Sequence, residues 1–120
     1  MPERCAARRF EDIIAWQKGQ QITVLGFKYL SGTRDFTFRN QFFGALYSIT
    51  NNIAEGFERR SNKELRQFLF ISKGSAGEVR NMLYIAKAVK YIDAPAFKIM
   101  YDLCEEISKM LSAFIKKLDV

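Results

Sequence analysis

Apolar residues recur along this chain at intervals of three and four positions, the spacing that places them on one face of an α-helix. Four stretches show this pattern, and they predict helices over about residues 12–30, 37–56, 62–90 and 94–118. Because the links between them are short, each helix is expected to pack antiparallel to the next. The sequence therefore predicts an all-α fold, an antiparallel up-down-up-down four-helix bundle.

The polar links carry recognisable helix ends. Gly56 is suited to end the second helix, and Ser61 to Glu64 form a capping-box sequence that opens the third. Asp93 is placed to cap the fourth helix, with Pro95 in its first turn, where a missing N–H costs nothing. The fourth helix has the most regular apolar stripe, which consists of Phe97, Met100, Tyr101, Cys104, Ile107, Leu111, Phe114 and Leu118.

The first helix has two interior glycines, Gly19 and Gly26, and each lowers helix stability by roughly 1 kcal/mol. Such glycines are tolerable where another helix approaches closely, so a close contact is expected here. Asp12 is the expected N-cap and Gly32 the expected stop. Trp16 lies off the apolar stripe and is expected to pack against a neighbouring helix or a neighbouring subunit. The stripe consists of Ala15, Gly19, Ile22, Leu25 and Tyr29.

The chain of 120 residues is long enough for one ordinary core, and hydrophobic residues make up 48% of it. We expect a single domain over residues 10–120, preceded by a flexible basic arm over residues 1–9. Arg4, Arg8 and Arg9 of this arm could contact phosphates, and a solvated end is the alternative. Charges interrupt every apolar run, so no membrane span is expected.

The cysteine count indicates the cellular compartment, and the net charge indicates the kind of partner. Two cysteines, Cys5 and Cys104, fit a reducing cytosol, and the N-terminal residues do not resemble a secretory signal, so a cytoplasmic location is expected. An intermolecular disulfide through Cys5 is the alternative. Nineteen Lys and Arg residues against thirteen Asp and Glu residues give a formal net charge of +6. That sign suits an anionic partner, although many soluble domains share it.

The usual catalytic residue types are scarce. The sequence contains no histidine, which removes the commonest general base and metal ligand. The two cysteines are too far apart for a zinc signature, and no glycine-rich phosphate loop is present. We therefore expect no enzyme, no metal, no cofactor and no small-molecule substrate. Gly74, Ser75, Ala76 and Gly77 lie inside a helical pattern and are interpreted as a small-residue patch for close helix packing.

The third helix carries a line of cations on one flank. Arg66, Lys73, Arg80 and Lys87 recur every seven residues, and the line is about 30 Å long at 1.5 Å per residue. Such a line could follow a nucleic-acid backbone, and each neutralised phosphate would add to the salt dependence of binding. A solvated helix flank is the alternative interpretation.

A second flank of the third helix is partly apolar. It consists of Ile71, Gly74, Glu78, Met82 and Ile85, which lie away from the core stripe. A helix with apolar positions on two sides is usually buried on two sides. We therefore predict a subunit interface here, and a wide core contact with the first or fourth helix is the alternative.

Polar residues near the end of the second helix predict a structural clamp. Asn52 lies on the buried stripe, so its amide needs hydrogen-bond partners. Glu55 and Arg59 are spaced for an i, i+4 ion pair. Together with Glu78, these residues are interpreted as a hydrogen-bonding clamp near the hairpin turn, and a ligand site is the alternative.

At these residues the chain resembles the bacterial four-helix-bundle family encoded in intervening sequences of 23S ribosomal RNA genes. The similarity runs in order over roughly residues 10–92, and its most specific element is the string Asn52-Ile53-Ala54-Glu55-Gly56. The other matching pieces are Phe10-Glu11-Asp12, Trp16-Gln17-Lys18, Arg39-Asn40-Gln41, Ser48-Ile49, Arg59, Ser61-Asn62-Lys63-Glu64, Phe68-Leu69, and Gly74-Ser75 with Glu78.

The resemblance implies a non-enzymatic bundle that assembles as a homopentameric ring. It also implies a link to nucleic acid, because a related branch, the accessory protein of diversity-generating retroelements, binds nucleic acid and a reverse transcriptase. Many relatives carry an arginine pair where this chain has Phe43 and Gly44. With Tyr47, these residues are expected to form a more apolar outer surface that favours assembly.

Two functions are therefore expected from different classes. The first is an oligomeric bundle that binds RNA or other nucleic acid through basic side chains, without catalysis. The second is a protein-interaction scaffold, for example for a polymerase, with no direct nucleic-acid contact. The candidate nucleic-acid-binding residues are Arg59, Arg60, Lys63, Arg66, Lys73, Arg80 and Lys87. The candidate interface residues are Phe43, Tyr47, Ile71, Gly74, Met82 and Ile85.

Overall fold

The computed structural model describes residues 7–120, which form four α-helices, a short 3-10 helix and no strand. The 3-10 helix covers Phe10–Asp12, and the α-helices are α1 (Ile14–Leu30), α2 (Phe36–Phe57), α3 (Asn62–Ala88) and α4 (Ala94–Lys117). Each helix packs against the next, and α4 closes the bundle against α1. The predicted four-helix fold is confirmed. Arg4 and Cys5 lie outside the described residues.

The core lies along the axis of a bundle that measures 49 × 23 × 19 Å. Its largest members have essentially no exposed surface, and each such side chain contributes about 1.5–3 kcal/mol relative to exposure. These members are Phe42, Ile22, Leu30, Leu46, Ile49, Ile53, Leu65, Leu69, Leu83, Met100, Ile107 and Leu111. Among the described residues, no helix has both the length and the apolar character to cross a membrane.

The start of α1 differs from the prediction. Asp12 is not its N-cap, because it ends the 3-10 helix, and α1 begins after Ile13 with no side-chain cap. The Asp12 carboxylate instead accepts the backbone N–H of Arg8 at 3.3 Å. Trp16 packs edge-on against Phe10 in its own chain, with ring centroids 5.3 Å apart. The polar Phe-Glu-Asp segment therefore forms a separate turn that covers the end of the bundle.

The glycines of α1 mark its close approach to α2, as predicted. A Cβ atom added at Gly19 would lie 2.7 Å from the Thr50 Cγ2 atom, and one added at Gly26 would lie 2.7 Å from Leu46 Cδ1. The buried side of α1 therefore includes both glycines and Leu30. Helix α1 ends at Leu30, and its cap, Ser31, precedes Gly32.

The α2–α3 link is short, because α2 ends at Phe57 and α3 begins at Asn62. Helix α2 ends one residue beyond Gly56, which lies inside its last turn and not in the left-handed region. A Cβ at Gly56 would lie 2.6 Å from the Phe68 Cβ atom, so this glycine allows a close helix contact. The Ser61 hydroxyl accepts the backbone N–H of Glu64 at 3.2 Å and donates to the Glu64 carboxylate at 3.3 Å.

The α3–α4 link uses a left-handed residue. Helix α3 ends at Ala88, and Lys90 has a φ of 66°, a conformation in which glycine is the usual residue. The backbone N–H groups of Lys90 and Tyr91 donate to Lys87 O at 3.1 Å and Ala86 O at 2.8 Å, which is the Schellman pattern. Asp93 then caps α4, as predicted, by accepting the Ala96 N–H at 2.9 Å.

Candidate nucleic-acid interface

The four periodic cations of α3 lie on one flank of the helix, and Arg80 and Lys87, in its C-terminal half, lie close to residues of α4. Seven residues fall about 20° short of two helical turns, so the line drifts around the helix as it ascends. Arg66 is exposed at one end, and Lys73 and Arg80 are half-buried. The Lys87 ammonium lies over the Phe97 ring of α4, 4.7 Å from its centroid. The sequence spacing therefore located a real surface line, and its upper half borders α4.

Three aromatic rings cluster beside the upper half of this line. Tyr84 of α3 contacts Phe97 and Tyr101 of α4, with ring centroids 5.2 and 5.4 Å away, and Phe97 stacks on Tyr101 at 5.3 Å. Tyr84 is 54% exposed, whereas its two partners are half-buried. A hydrogen bond with the Tyr84 hydroxyl raises the pKa of Tyr101. We refer to the four cations and these three rings as the α3–α4 face.

None of the four cations forms an ion pair with another residue of the 7–120 range. Two carboxylates of α4 form ion pairs with cations outside the line. Lys18 of α1 contacts Glu106 at 3.0 Å, and Lys98 contacts Asp102 at 2.9 Å. Glu105 is the exception, because its charge lies close enough to Tyr101 to help raise the pKa of that phenol. The positive charge of the line is therefore largely available to an external anion.

The other candidate cations lie at the opposite end of α3. Arg60 and Lys63 are exposed in and just after the α2–α3 link. Arg59 is engaged within the chain, because its guanidinium contacts the Glu55 carboxylate at 2.9 Å and lies over the Phe68 ring, 5.0 Å from the centroid. The predicted i, i+4 pair is thus present, and it is an exposed surface pair.

The predicted polar clamp exists, with different members. The Asn52 side-chain amide donates to Ser48 O at 2.7 Å and to the Ser48 hydroxyl at 2.9 Å. The hydroxyls of Ser48 and Ser75 lie 2.7 Å apart and so join α2 to α3. Ser72 is fully buried and donates to Ile49 O at 2.8 Å. Glu78 is exposed and takes no part in this network.

The second flank of α3 is open to solvent within the chain. Ile71 is 52% exposed and Ile85 is 45% exposed, so the alternative of a wide core contact is wrong for both. Gly74 is exposed and Gly77 is half-buried. A Cβ atom added at either glycine would meet no atom of residues 7–120 within 4 Å. The interpretation of these two glycines as a close-packing patch is therefore wrong within the chain.

Two of the predicted interface residues are buried in their own chain. Phe43 is only 7% exposed because it packs between Phe27 and Phe42, and Met82 is only 6% exposed. Both are corrections to the sequence interpretation. The outer surface at this part of α2 is instead formed by Gly44, with Tyr47 one helical turn further along the helix.

Sequence reasoning missed the aromatic half of the α3–α4 face. Phe97 and Tyr101 were assigned to the core stripe of the last helix, and Tyr84 was not singled out. A signal was present, because Tyr84 follows Arg80 by four residues and precedes Lys87 by three, which places all three on one flank. The bond from the buried Ser72 hydroxyl to Ile49 O joins two helices, so the spacing within α3 alone does not predict it.

The described residues do not gather a metal or nucleophile site. Nowhere in residues 7–120 do three cysteine, aspartate or glutamate side chains converge as metal ligands would. Cys104 is buried in α4, and desolvation raises the pKa of its thiol to about 12. Because the thiolate is the reactive form, this thiol is inert at neutral pH while the bundle is folded.

The fold and this face define a class of protein, a small antiparallel four-helix bundle with a basic and aromatic flank. The family model described as 23S rRNA-intervening sequence protein matches residues 11–113, and the chain belongs to that family. The resemblance identified from the sequence is thereby confirmed.

A crystal structure at 1.70 Å resolution has a similar fold. It is of a protein of unknown function from the S23 ribosomal protein family of Bacteroides thetaiotaomicron, with a TM-score of 0.79 and 22% sequence identity. The similarity covers 86% of this chain and 99% of that chain. At this identity the likeness concerns the fold alone. No curated protein matches this sequence.

Proposed function

We propose that this protein is a non-enzymatic RNA-binding bundle that contacts single-stranded RNA through the α3–α4 face. The observation that carries the proposal is the combination of four cations and a cluster of three aromatic rings on one surface. None of the four cations has an ion-pair partner among residues 7–120. The family description, which refers to an intervening sequence of 23S rRNA, agrees with an RNA ligand.

The chemistry of this face suits a single strand better than a duplex. Cations attract the phosphate backbone without regard to sequence, and exposed rings stack with unpaired bases, which a duplex does not offer. The cation line is about 30 Å long, which is enough for several nucleotides. Tyr84 lies between Arg80 and Lys87, so one strand can place phosphates on the cations and a base on the ring.

The test separates charge from stacking. Changing Arg66→Gln together with Lys73→Gln should weaken binding to all RNA sequences alike. It should also reduce the slope of log affinity against log salt by about 0.7 for each lost contact. Tyr84→Ala should weaken binding by about 5- to 150-fold and leave that slope unchanged. Lys28→Gln, an exposed cation on α1, is the matched control and should retain the wild-type slope.

Two results would contradict the proposal. One is binding whose affinity does not change with salt, and the other is no binding at low salt to any single-stranded RNA. A protein partner that is still captured after nuclease treatment, together with no RNA binding, would favour the scaffold function instead.

We also propose that the protein assembles with copies of itself through the outer flank of α3. Ile71 and Ile85 expose apolar surface on this flank, and Gly74 between them has no side chain to hold a second helix away. The family resemblance supports a subunit number of five. Light scattering of the wild type should therefore give a multiple of the 13.9 kDa chain mass.

Matched variants test whether assembly depends on the outer flank of α3 or on exposed apolar side chains in general. Ile71→Lys with Ile85→Lys should reduce the measured mass to 13.9 kDa. Val24→Lys removes an apolar side chain of comparable exposure from α1 and should leave the mass unchanged. A wild type that is monomeric at all accessible concentrations would contradict the assembly. Nuclease treatment before the measurement separates assembly of the protein from bridging by bound RNA.

A further inference from the structure

A cleft lies between the C-terminal half of α1 and the N-terminal half of α2. None of the four cations of α3 lines it. The cleft is open to solvent and has a volume of about 520 Å³, within the range of about 300–1,000 Å³ found for small-molecule sites. Its wall consists of Phe27 from α1 and of Phe43 and Tyr47 from α2. It lies on the side of the bundle opposite the α3–α4 face.

The aromatic wall of the cleft is ordered from beneath. Phe43 is buried, and its ring centroid lies 4.6 Å from that of Phe27 and 6.2 Å from that of Tyr47. Phe27 and Tyr47 expose 47% and 43% of their surface. The two outer rings are therefore held in place by the inner one and still present apolar ring surface to a ligand.

The polar residues that line the cleft are Ser31, Arg39 and Asn40. The Arg39 guanidinium donates to Ser31 O at 3.1 Å and lies over the Phe36 ring, 4.7 Å from the centroid, so its charge is fixed beside the cleft. Asn40 is exposed, and its side-chain amide makes no hydrogen bond within residues 7–120. No carboxylate of residues 7–120 lines the cleft.

We infer that this cleft binds an unpaired nucleobase of single-stranded RNA. Exposed rings provide a stacking surface, and the free Asn40 amide offers one acceptor and two donors, which match the hydrogen-bonding edge of a base. The fixed positive charge of Arg39 favours the adjoining phosphate. The choice of RNA as ligand rests on the proposed function, whereas the site itself uses residues that the α3–α4 face does not.

Gly44 makes the cleft testable without damage to the fold. It lines the cleft, it is exposed, and a Cβ there would meet no atom of residues 7–120 within 4 Å. Leucine is a good helix former, so Gly44→Leu fills the cleft while α2 remains intact. Gly44→Ala gives the same helical advantage without filling the space, and it is the matched control.

The experiment titrates labelled homopolymer RNAs of about ten nucleotides with the full chain and measures fluorescence anisotropy. Gly44→Leu and Tyr47→Ala should each weaken binding by about 5- to 150-fold with an unchanged salt slope. Gly44→Ala and Phe70→Ala, an equally exposed ring outside the cleft, should bind as the wild type does. Asn40→Ala should reduce the preference among the four homopolymers by about fivefold or more, because it removes the base-edge contact.

Two outcomes would overturn the site. One is wild-type affinity for Gly44→Leu, and the other is a change in oligomeric mass for Gly44→Leu, which would make the cleft a contact between copies of the chain. Titration with adenosine and uridine monophosphates, followed by the backbone amide signal of Gly44, separates this proposal from the preceding one. A shift of that signal in a protein that shows no salt-dependent RNA binding would sustain the cleft and reject the α3–α4 face.

Discussion

Glycines have opposite roles in two regions of α2 and α3. One region is the seam, where the two helices pack against each other, and the other is their outer surface. In the seam, a Cβ at Gly56 would lie 2.6 Å from Phe68 Cβ, so a larger residue would force the helices apart. On the outer surface, Gly44 and Gly74 have nothing within 4 Å of the same position. The role of a glycine is thus set by whether a neighbouring helix passes over it. On the outer surface, no close contact with another of the described residues offsets the intrinsic cost of glycine to the helix.

Hydroxyl groups show the same contrast. In the seam, Ser48 and Ser75 share a hydrogen bond of 2.7 Å between neighbouring helices, in a network with no unsatisfied buried side-chain atom among the described residues. At the bundle end, the Tyr91 hydroxyl donates to the Asp35 carboxylate at 2.6 Å in exposed surroundings. A short bond is not by itself a strong contribution, because water competes for both groups at the surface.

The largest expected effect is a difference in sign between two identical substitutions. Gly56→Leu should lower the free energy of unfolding by about 2–3 kcal/mol, because the added atoms collide with Phe68 near its backbone. Gly44→Leu should raise it by about 0.8 kcal/mol through helix propensity alone. Urea unfolding of both variants measures the difference. Equal effects from the two would mean that the close contact at Gly56 relaxes without cost.

Removal of the seam hydroxyls should have the next largest effect. Ser48→Ala removes the two bonds of the Ser48 hydroxyl, to the Asn52 amide and to Ser75, and leaves the bond from Asn52 to Ser48 O. It should cost about 1–2 kcal/mol at about 0.5–1.5 kcal/mol for each lost bond. Ser75→Ala should cost a similar amount, because it removes the same Ser48–Ser75 bond and also the bond of 3.1 Å that the Ser75 hydroxyl donates to Ile71 O. The double variant should cost less than the sum, since both single changes remove the same Ser48–Ser75 bond. Strict additivity in urea unfolding would argue against that bond.

Much of the fold could be predicted from the sequence because it depends on local rules. Apolar spacing located the helices, and the caps at Ser61 and Asp93 followed from side chains that accept a nearby N–H. Asp12 failed as a cap because the segment before Ile13 forms a 3-10 turn of its own, which a cap rule cannot anticipate. The burial of Phe43 and Met82 was also missed, since burial at the edge of a stripe depends on where the neighbouring helix lies.

The candidate sites divide in the same way. The cation line from Arg66 to Lys87 was predictable because it lies on one helix with a fixed period. Its aromatic partners, Phe97 and Tyr101, lie on another helix, and only the packing of α3 against α4 brings them beside it. The cleft at Gly44 joins residues of α1 and α2, so nothing in the spacing of either helix alone predicts it.

Lys90 is the reverse case of the outer glycines, a lysine where the backbone favours glycine. Its φ of 66° is strained for a residue with a Cβ atom, and the neighbouring Schellman bonds hold it there. Lys90→Gly should raise the free energy of unfolding by about 1 kcal/mol, somewhat less than the full left-handed penalty, because glycine also loses more entropy on folding. Lys87→Gly, in the last turn of α3, should instead destabilise the bundle. Urea unfolding that shows no gain for Lys90→Gly would indicate that the turn has relaxed.

The smallest effect is expected at the exposed Tyr91–Asp35 bond, where pH makes it measurable. The Tyr91 hydroxyl, followed by the Phe38 N–H, lowers the pKa of Asp35 from its ordinary 3.8. A carboxyl with a lowered pKa stabilises the fold above its unfolded value and loses that contribution as the pH falls through the folded value. Tyr91→Phe should therefore reduce the thermal midpoint slightly at neutral pH, and the deficit should shrink below pH 3.8.

The same bond gives a second titration of opposite sign. The Asp35 acceptor raises the pKa of Tyr91 from its ordinary 10.0. A group with a raised pKa stabilises the fold below its unfolded value, so the contribution is complete below pH 10.0 and is lost as the pH rises through the folded value. The loss of thermal midpoint in Tyr91→Phe should thus be largest between pH 3.8 and pH 10.0 and should disappear at more acidic and more alkaline pH. Tyr47→Phe, whose hydroxyl makes no hydrogen bond in residues 7–120, should show no such pH dependence. A deficit of constant size across the whole range would mean that the lost hydroxyl acts through packing and not through its bond to Asp35.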